Sequence, residues 1–215
     1  MDKSLKVQAY NQIKKNILSQ KYKPNSIISE SSLLTDLDMS RTPVRESLIK
    51  LEQENFIEII AKKGIIIKAL SLQDVNMMFE TRILIEPFLI EKYNNFIDLR
   101  KLEKLKNDLV NSDPSDVSTF LKLDNSLHDL ICMSGPNNFL NNTLKHIYDQ
   151  HNRLRVSYFP NVAERFQKAT NEHIQLCEAI LNGEIDLAVD ILKDHLTTSK
   201  IIAVTALLET TLSIN

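Results

Sequence analysis

The sequence predicts a mainly α-helical protein in two parts. A three-helix head closed by a β-hairpin is followed by an antiparallel bundle of about six helices. Three observations lead there. Glycine and proline are scarce, three and six among 215 residues, which disfavours a turn-rich β fold. Apolar residues recur at helical spacing over most of the chain. One stretch changes period: the β-branched runs Phe56-Ile57-Glu58-Ile59-Ile60 and Ile65-Ile66-Ile67-Lys68 flank Ala61-Lys62-Lys63-Gly64, the pattern of a hairpin.

Composition narrows the class. With 43% hydrophobic and 25% charged residues, the chain has the balance of a packed globular protein rather than a disordered one. The Met1–Lys6 start lacks the apolar run of a signal peptide, and no stretch of about 18 apolar residues could span a membrane, so a cytoplasmic protein with no membrane partner is expected. Cys132 and Cys177 form no C-x-x-C pair and read as two buried thiols. Net charge is −2 overall but uneven. Residues 1–70 carry 12 Lys and Arg against 8 Asp and Glu, a net +4, and the remainder carries 14 against 20, a net −6. A basic head on an acidic body suits a head that meets a polyanion.

The first helix follows from the stripe Leu5, Ala9, Ile13, Ile17, and the Lys21–Asn25 segment with Pro24 ends it. Ser29 offers an N-cap for a short second helix carrying Leu33, Leu34 and Leu37. After the Asp38-Met39 connection, Ser40 caps a third helix. There Pro43 is tolerated in the first turn, and Val44, Leu48 and Leu51 form the buried stripe. Three helices and a hairpin are the order of a winged helix-turn-helix. Arg41 and Arg45 share one face at the N-terminal end of the third helix, where a guanidinium can hold two acceptors on a guanine edge. Ser40 and Thr42 can bond neighbouring phosphates. Lys62 and Lys63 at the hairpin tip add cations, and Gly64 permits close backbone approach.

The string Ser40-Arg41-Thr42-Pro43-Val44-Arg45-Glu46-Ser47-Leu48, with Leu51 after it and Glu30-x-x-Leu33 before it, resembles the signature of GntR-type winged-helix repressors over about residues 5–70. The resemblance implies operator contacts by Ser40, Arg41, Thr42, Arg45 and Gly64. Some members place an arginine after the second-helix glutamate. Here that position is Ser31, and the contact is not carried over.

Residues 71–215 read as the second domain. Ser71-x-x-Asp74 resembles a capping box opening a helix to about Tyr93, with Pro87 expected to kink it. Further helices are expected at roughly 98–111, 116–133, 138–158, 162–182 and 184–209, broken at Asp113-Pro114, Gly135-Pro136, Pro160 and Asn182-Gly183. Met77, Met78, Phe79 and the ladder Leu99, Leu102, Leu105, Leu109 read as core. Asp124 and His128 are i and i+4 on one helix face. His173 lies ten residues before Gly183 and His195 twelve after, nearly level across an antiparallel pair. One carboxylate and three imidazoles suit Zn²⁺, Ni²⁺, Mn²⁺ or Fe²⁺. Spacing alone leaves metal binding and ordinary helix histidines both open. His146 and His151 fall outside the set and read as structural or surface residues.

Glu80-Thr81-Arg82-x-x-Ile85-Glu86, Asp124-x-x-x-His128, His173 and Ala188-x6-His195 resemble the FCD ligand-binding domain of the FadR-like branch of GntR regulators, over about 72–208. In its metal-binding members the aspartate and three histidines hold a divalent cation, which a small carboxylate-type effector completes. Members that bind long-chain acyl-CoA lack that set, so acyl-CoA is not expected. The family's Gly-Asn turn is one residue longer here, Gly135-Pro136-Asn137-Asn138, and Asn137 is taken as a candidate ligand contact. Arg82 can hold an effector carboxylate in bidentate fashion or pair with Glu86 at i+4, and both readings stay open. Arg153 is a weaker candidate. The expectation is a homodimeric repressor with a divalent metal, zinc first among the candidates, bound to pseudo-palindromic operator DNA and released by a small anionic metabolite. A regulator with a purely structural metal is the alternative. A metal-dependent enzyme is the remote one, because no further base sits at a spacing suited to proton transfer.

Overall fold

The computed structural model describes residues 4–113, 115–158 and 163–212; the expected breaks at Pro114 and Pro160 lie outside them. The chain divides into two compact units, Met1–Ser71 with Asn152–Ser157, and Leu72–His151 with Tyr158–Asn215.

In the first unit, α1 (Leu5–Leu18) packs on α3 (Arg41–Gln53), with α2 (Glu30–Leu37) between them in sequence. Ala9, Ile13 and Ile17 of α1 meet Val44, Leu48 and Leu51 of α3 in one buried cluster, the stripes that the sequence periodicity predicts. The Ser29 hydroxyl accepts from the Ser32 N–H at 3.0 Å and caps α2. Asp38, left-handed at φ 51° and ψ 48°, ends α2 and turns the chain toward α3. Ser40 stands at the N-cap of α3 without a side-chain capping bond, so its hydroxyl is not spent there.

The hairpin is present as β2 (Ile57–Ile60) and β3 (Gly64–Ile67), antiparallel with Ile59 opposite Ile65. A further strand, β1 (Ile27–Ile28), pairs on the other side of β3, giving the order β1-β3-β2. This strand has no sequence signature, because two residues are too few to show a period.

Gly64 has φ +120°, and a Cβ there would sit 3.0 Å from the Ile28 carbonyl oxygen. Its requirement is therefore internal to the sheet, whatever the wing does against DNA. Gly64→Ala should cost about 1–3 kcal/mol of stability, measured as a lowered urea midpoint. A wild-type midpoint would confine this glycine's role to DNA approach.

Six α-helices follow among the described residues: α4 (Leu72–Tyr93), α5 (Leu99–Val110), α6 (Val117–Cys132), α7 (Asn138–Tyr158), α8 (Ala163–Leu181) and α9 (Ile185–Leu212), all within the second unit except the Asn152–Ser157 stretch of α7. A short 3-10 turn, Asn94–Phe96, follows α4. α4 packs along α9, α8 packs on α5, α6 and α9, and α6 also touches α4 and α5. α4 runs unbroken through the buried Pro87. Asp98 and Asp116 cap α5 and α6 by accepting backbone N–H bonds.

α8 ends in a Schellman turn. The Glu184 N–H reaches the Ala179 carbonyl at 2.8 Å, the Gly183 N–H reaches Ile180, and Gly183 has φ +76°. That turn reverses the chain and sets the levels at which His173 and His195 meet. Two expected core residues are not core. Met77 is 48% exposed because it lies on the face of α4 opposite the buried Val75, Phe79 and Glu86, and Leu99 is 49% exposed at the edge of the stripe formed by Leu102, Leu105 and Leu109.

Candidate functional site

Asp124 and His128 project from one face of α6, His173 comes from α8 and His195 from α9. All four are buried, and one ligand atom from each lies within 4.8 Å of every other. His173 Nε2 is 3.3 Å from His195 Nε2 and 3.5 Å from Asp124 Oδ1. Two nitrogens bound tetrahedrally at about 2.0–2.1 Å from one ion stand about 3.3–3.4 Å apart, so this spacing is that of a coordination edge. His128 Nε2 is buried and has no hydrogen-bond partner. A bare buried nitrogen aimed among three other donors is costly unless something binds it.

Outer carboxylates set the tautomers. Glu86 Oε2 lies 2.9 Å from His128 Nδ1, and Glu172 Oε2 lies 2.7 Å from His195 Nδ1. Each carboxylate favours a proton on Nδ1 and so presents Nε2 with its lone pair inward. Burial pushes the His195 imidazole down against the opposing pull of Glu172, toward the neutral form that a metal needs.

Arg82 makes the buried ion pair with Glu86, Nε to Oε1 at 2.5 Å. Its Nη1 is 3.1 Å from His151 Nδ1, and its guanidinium lies over the Tyr148 ring. Burial alone would raise the Glu86 carboxyl, but the Arg82 charge, with the hydrogen bonds from His128 and Arg82, outweighs it and holds the group at about 2. Glu86, His128 and Cys132 form a second close group. It makes a poor metal site, since the Arg82 guanidinium already sits on Glu86. Burial, followed by the Glu86 charge, also pushes the Cys132 thiol well above its ordinary range, away from the thiolate that a metal binds.

Of the other ligand candidates, the Asn137 side-chain oxygen caps α7 by accepting from the Phe139 and Leu140 N–H groups. Arg153 is buried and lies in the Asn152–Ser157 stretch assigned to the first unit.

In the first unit, Ser40, Arg41, Thr42 and Arg45 are exposed at the start of α3, and Lys62 and Lys63 are exposed at the hairpin tip. Arg45 Nε bonds Glu30 Oε1 at 2.9 Å, and Arg41 Nε lies 3.9 Å from the same oxygen. Glu30, Arg45, Ile59, Lys62 and Gly64 help line a cleft of about 470 Å³ between α3 and the hairpin.

The model of the gntR family of bacterial regulatory proteins matches residues 5–67, and the FCD domain model matches residues 77–198. The chain is a gntR-family regulator with an FCD domain. It is 26% identical over 179 residues to the HTH-type transcriptional regulator YdhC of Bacillus subtilis, covering 81% of this chain and 80% of YdhC. In fold it is similar to a GntR transcriptional regulator of Rhodococcus sp. RHA1, at a TM-score of 0.80 and 16% identity, covering 95% of this chain and 99% of that one. The Zn²⁺-bound FCD domain of the regulator TM0439 aligns at a TM-score of 0.57 and 24% identity, covering 65% of this chain and 97% of that domain.

The gntR head and FCD body thus make this a DNA-binding transcription regulator with an effector-binding domain. Among the described residues no helix is long and apolar enough to cross a membrane. Sequence reasoning about this gntR regulator missed Glu172, whose partner His195 lies on another helix and leaves no spacing signal. It also took His151 as structural or surface, without its buried contact to Arg82.

Proposed function

We propose that this gntR regulator is a homodimeric repressor, released from a pseudo-palindromic operator when a small carboxylate binds at a divalent metal held by Asp124, His128, His173 and His195. The observation that carries the reading is the convergence of four buried donors around the bare His128 Nε2. When bound, the metal supplies positive charge and, at coordination numbers above four, open positions for an anion. Zn²⁺ heads the candidates, with Ni²⁺, Mn²⁺ and Fe²⁺ also suited to nitrogen and oxygen donors. The buried Arg82 adds positive charge beside His128 for an effector carboxylate. Arg153 and Asn137 are secondary candidates. Ser40, Arg41, Thr42, Arg45, Lys62, Lys63 and Gly64 form the DNA-reading surface in this account. The domains divide near residue 70.

A second reading rests on the same geometry. Four protein ligands can close a tetrahedral zinc site completely, which is the form of a structural ion. Operator binding separates the two. Metal-loaded and chelated protein would be titrated against DNA with and without citrate, gluconate and other small carboxylates. Carboxylate-dependent release by the loaded protein only is the expected result. Unchanged DNA affinity across these conditions, with lowered thermal stability after chelation, would leave the metal structural.

A further inference from the structure

We propose that Glu30 is a positioning residue for DNA reading: its carboxylate braces Arg45 for one base contact and keeps both arginines from wandering to phosphates. The proposal rests on the reading that Arg45 contacts a base. Glu30 opens α2 and is 32% exposed, yet its Oε1 reaches across to α3, 2.9 Å from Arg45 Nε and 3.9 Å from Arg41 Nε. The guanidinium is a rigid fork, so a bond to Nε fixes the plane of the whole group and leaves the outer Nη1 and Nη2 edge for a guanine. Arg45 is 61% exposed, and without the brace its long side chain would sample many rotamers.

Charge points the same way. Arg41 and Arg45 place two like charges on one helical face, and a single carboxylate between them offsets their repulsion. Near DNA that carboxylate also repels phosphates. It therefore lowers affinity for any duplex that does not supply the base contact. Brace and repulsion together raise the ratio of specific to non-specific binding rather than affinity itself.

The test first selects a preferred duplex from a random-sequence library with the wild-type full chain, then compares it with a scrambled duplex across a salt series. Glu30→Gln should bind the scrambled duplex more tightly, with a salt slope steeper by about one unit as a freed arginine takes a phosphate. Its preference for the selected duplex should fall about tenfold, in the range lost with one base contact. Glu30→Asp retains the charge but shortens the reach; it should lose preference without steepening the slope. Equal weakening on both duplexes, or unchanged preference in both variants, overturns the brace. Arg45→Ala is the control on the underlying reading. It should relax preference at one base pair, and an unchanged preference profile there overturns the base contact and the brace with it. Circular dichroism melts of each variant separate these effects from unfolding.

Discussion

Replacing His173 by Ala should strip the FCD domain of its metal and abolish the carboxylate response of DNA binding. His173 Nε2 sits at the junction of the site, facing both His195 Nε2 and Asp124 Oδ1, and the residue is wholly buried. Alanine removes one donor of four and leaves a cavity lined by the other three. Loss of an outer-shell partner alone costs about 10–100-fold in metal affinity, and loss of a direct ligand should exceed that. The measurement is metal content per chain after dialysis against a weak chelator, paired with DNA titration with and without carboxylate. The head carries its own core, so DNA binding without carboxylate should persist. Full metal occupancy in this variant would remove His173 from the ligand set.

Glu86→Ala should cause the largest loss of stability of any single change here, about 3–5 kcal/mol, because it strands the Arg82 guanidinium inside the protein. Arg82 is 1% exposed and pairs with Glu86 at 2.5 Å. The double variant Arg82→Met with Glu86→Leu removes both charges and should recover much of that loss. Metal affinity should nonetheless stay about 10–100-fold down in the double variant, because His128 Nδ1 has lost its carboxylate. Recovery of both properties together would show that Glu86 serves stability only.

The same pair sets an acid limit. The Glu86 carboxyl is held at about 2 in the fold, below its ordinary 4.5. A depressed carboxyl stabilises the fold fully above its unfolded value and loses that contribution as pH falls. Metal-free wild type should therefore lose stability as pH drops from about 4.5 toward 2, and the double variant should lack that part of the decline.

Much of this was legible because helices announce themselves through stripes. Ala9, Ile13 and Ile17, then Val44, Leu48 and Leu51, mark buried faces and by default mark Arg41 and Arg45 as outward. Asp124 with His128, and His173 with His195 about Gly183, were readable as levels on helices because rise per residue is fixed. What was not legible depends on side chains meeting across elements. Glu172 reaches His195 from a different helix, Glu30 reaches Arg45 from α2, and His151 reaches Arg82 from α7. Sequence distance says nothing about such pairs. Arg82 is the intermediate case. Its i+4 spacing to Glu86 allowed the ion pair that the structure contains, but spacing could not weigh that pair against a free guanidinium.

X-ray absorption at the metal edge of the zinc-loaded full chain tests the identity of the donors most directly. The account predicts one ion per chain with nitrogen and oxygen scatterers at about 2.0–2.2 Å and the outer-shell pattern of several imidazoles. A sulfur scatterer at about 2.3 Å would place the ion instead beside Cys132 with Glu86 and His128, and a chain that retains no metal would contradict the centre altogether.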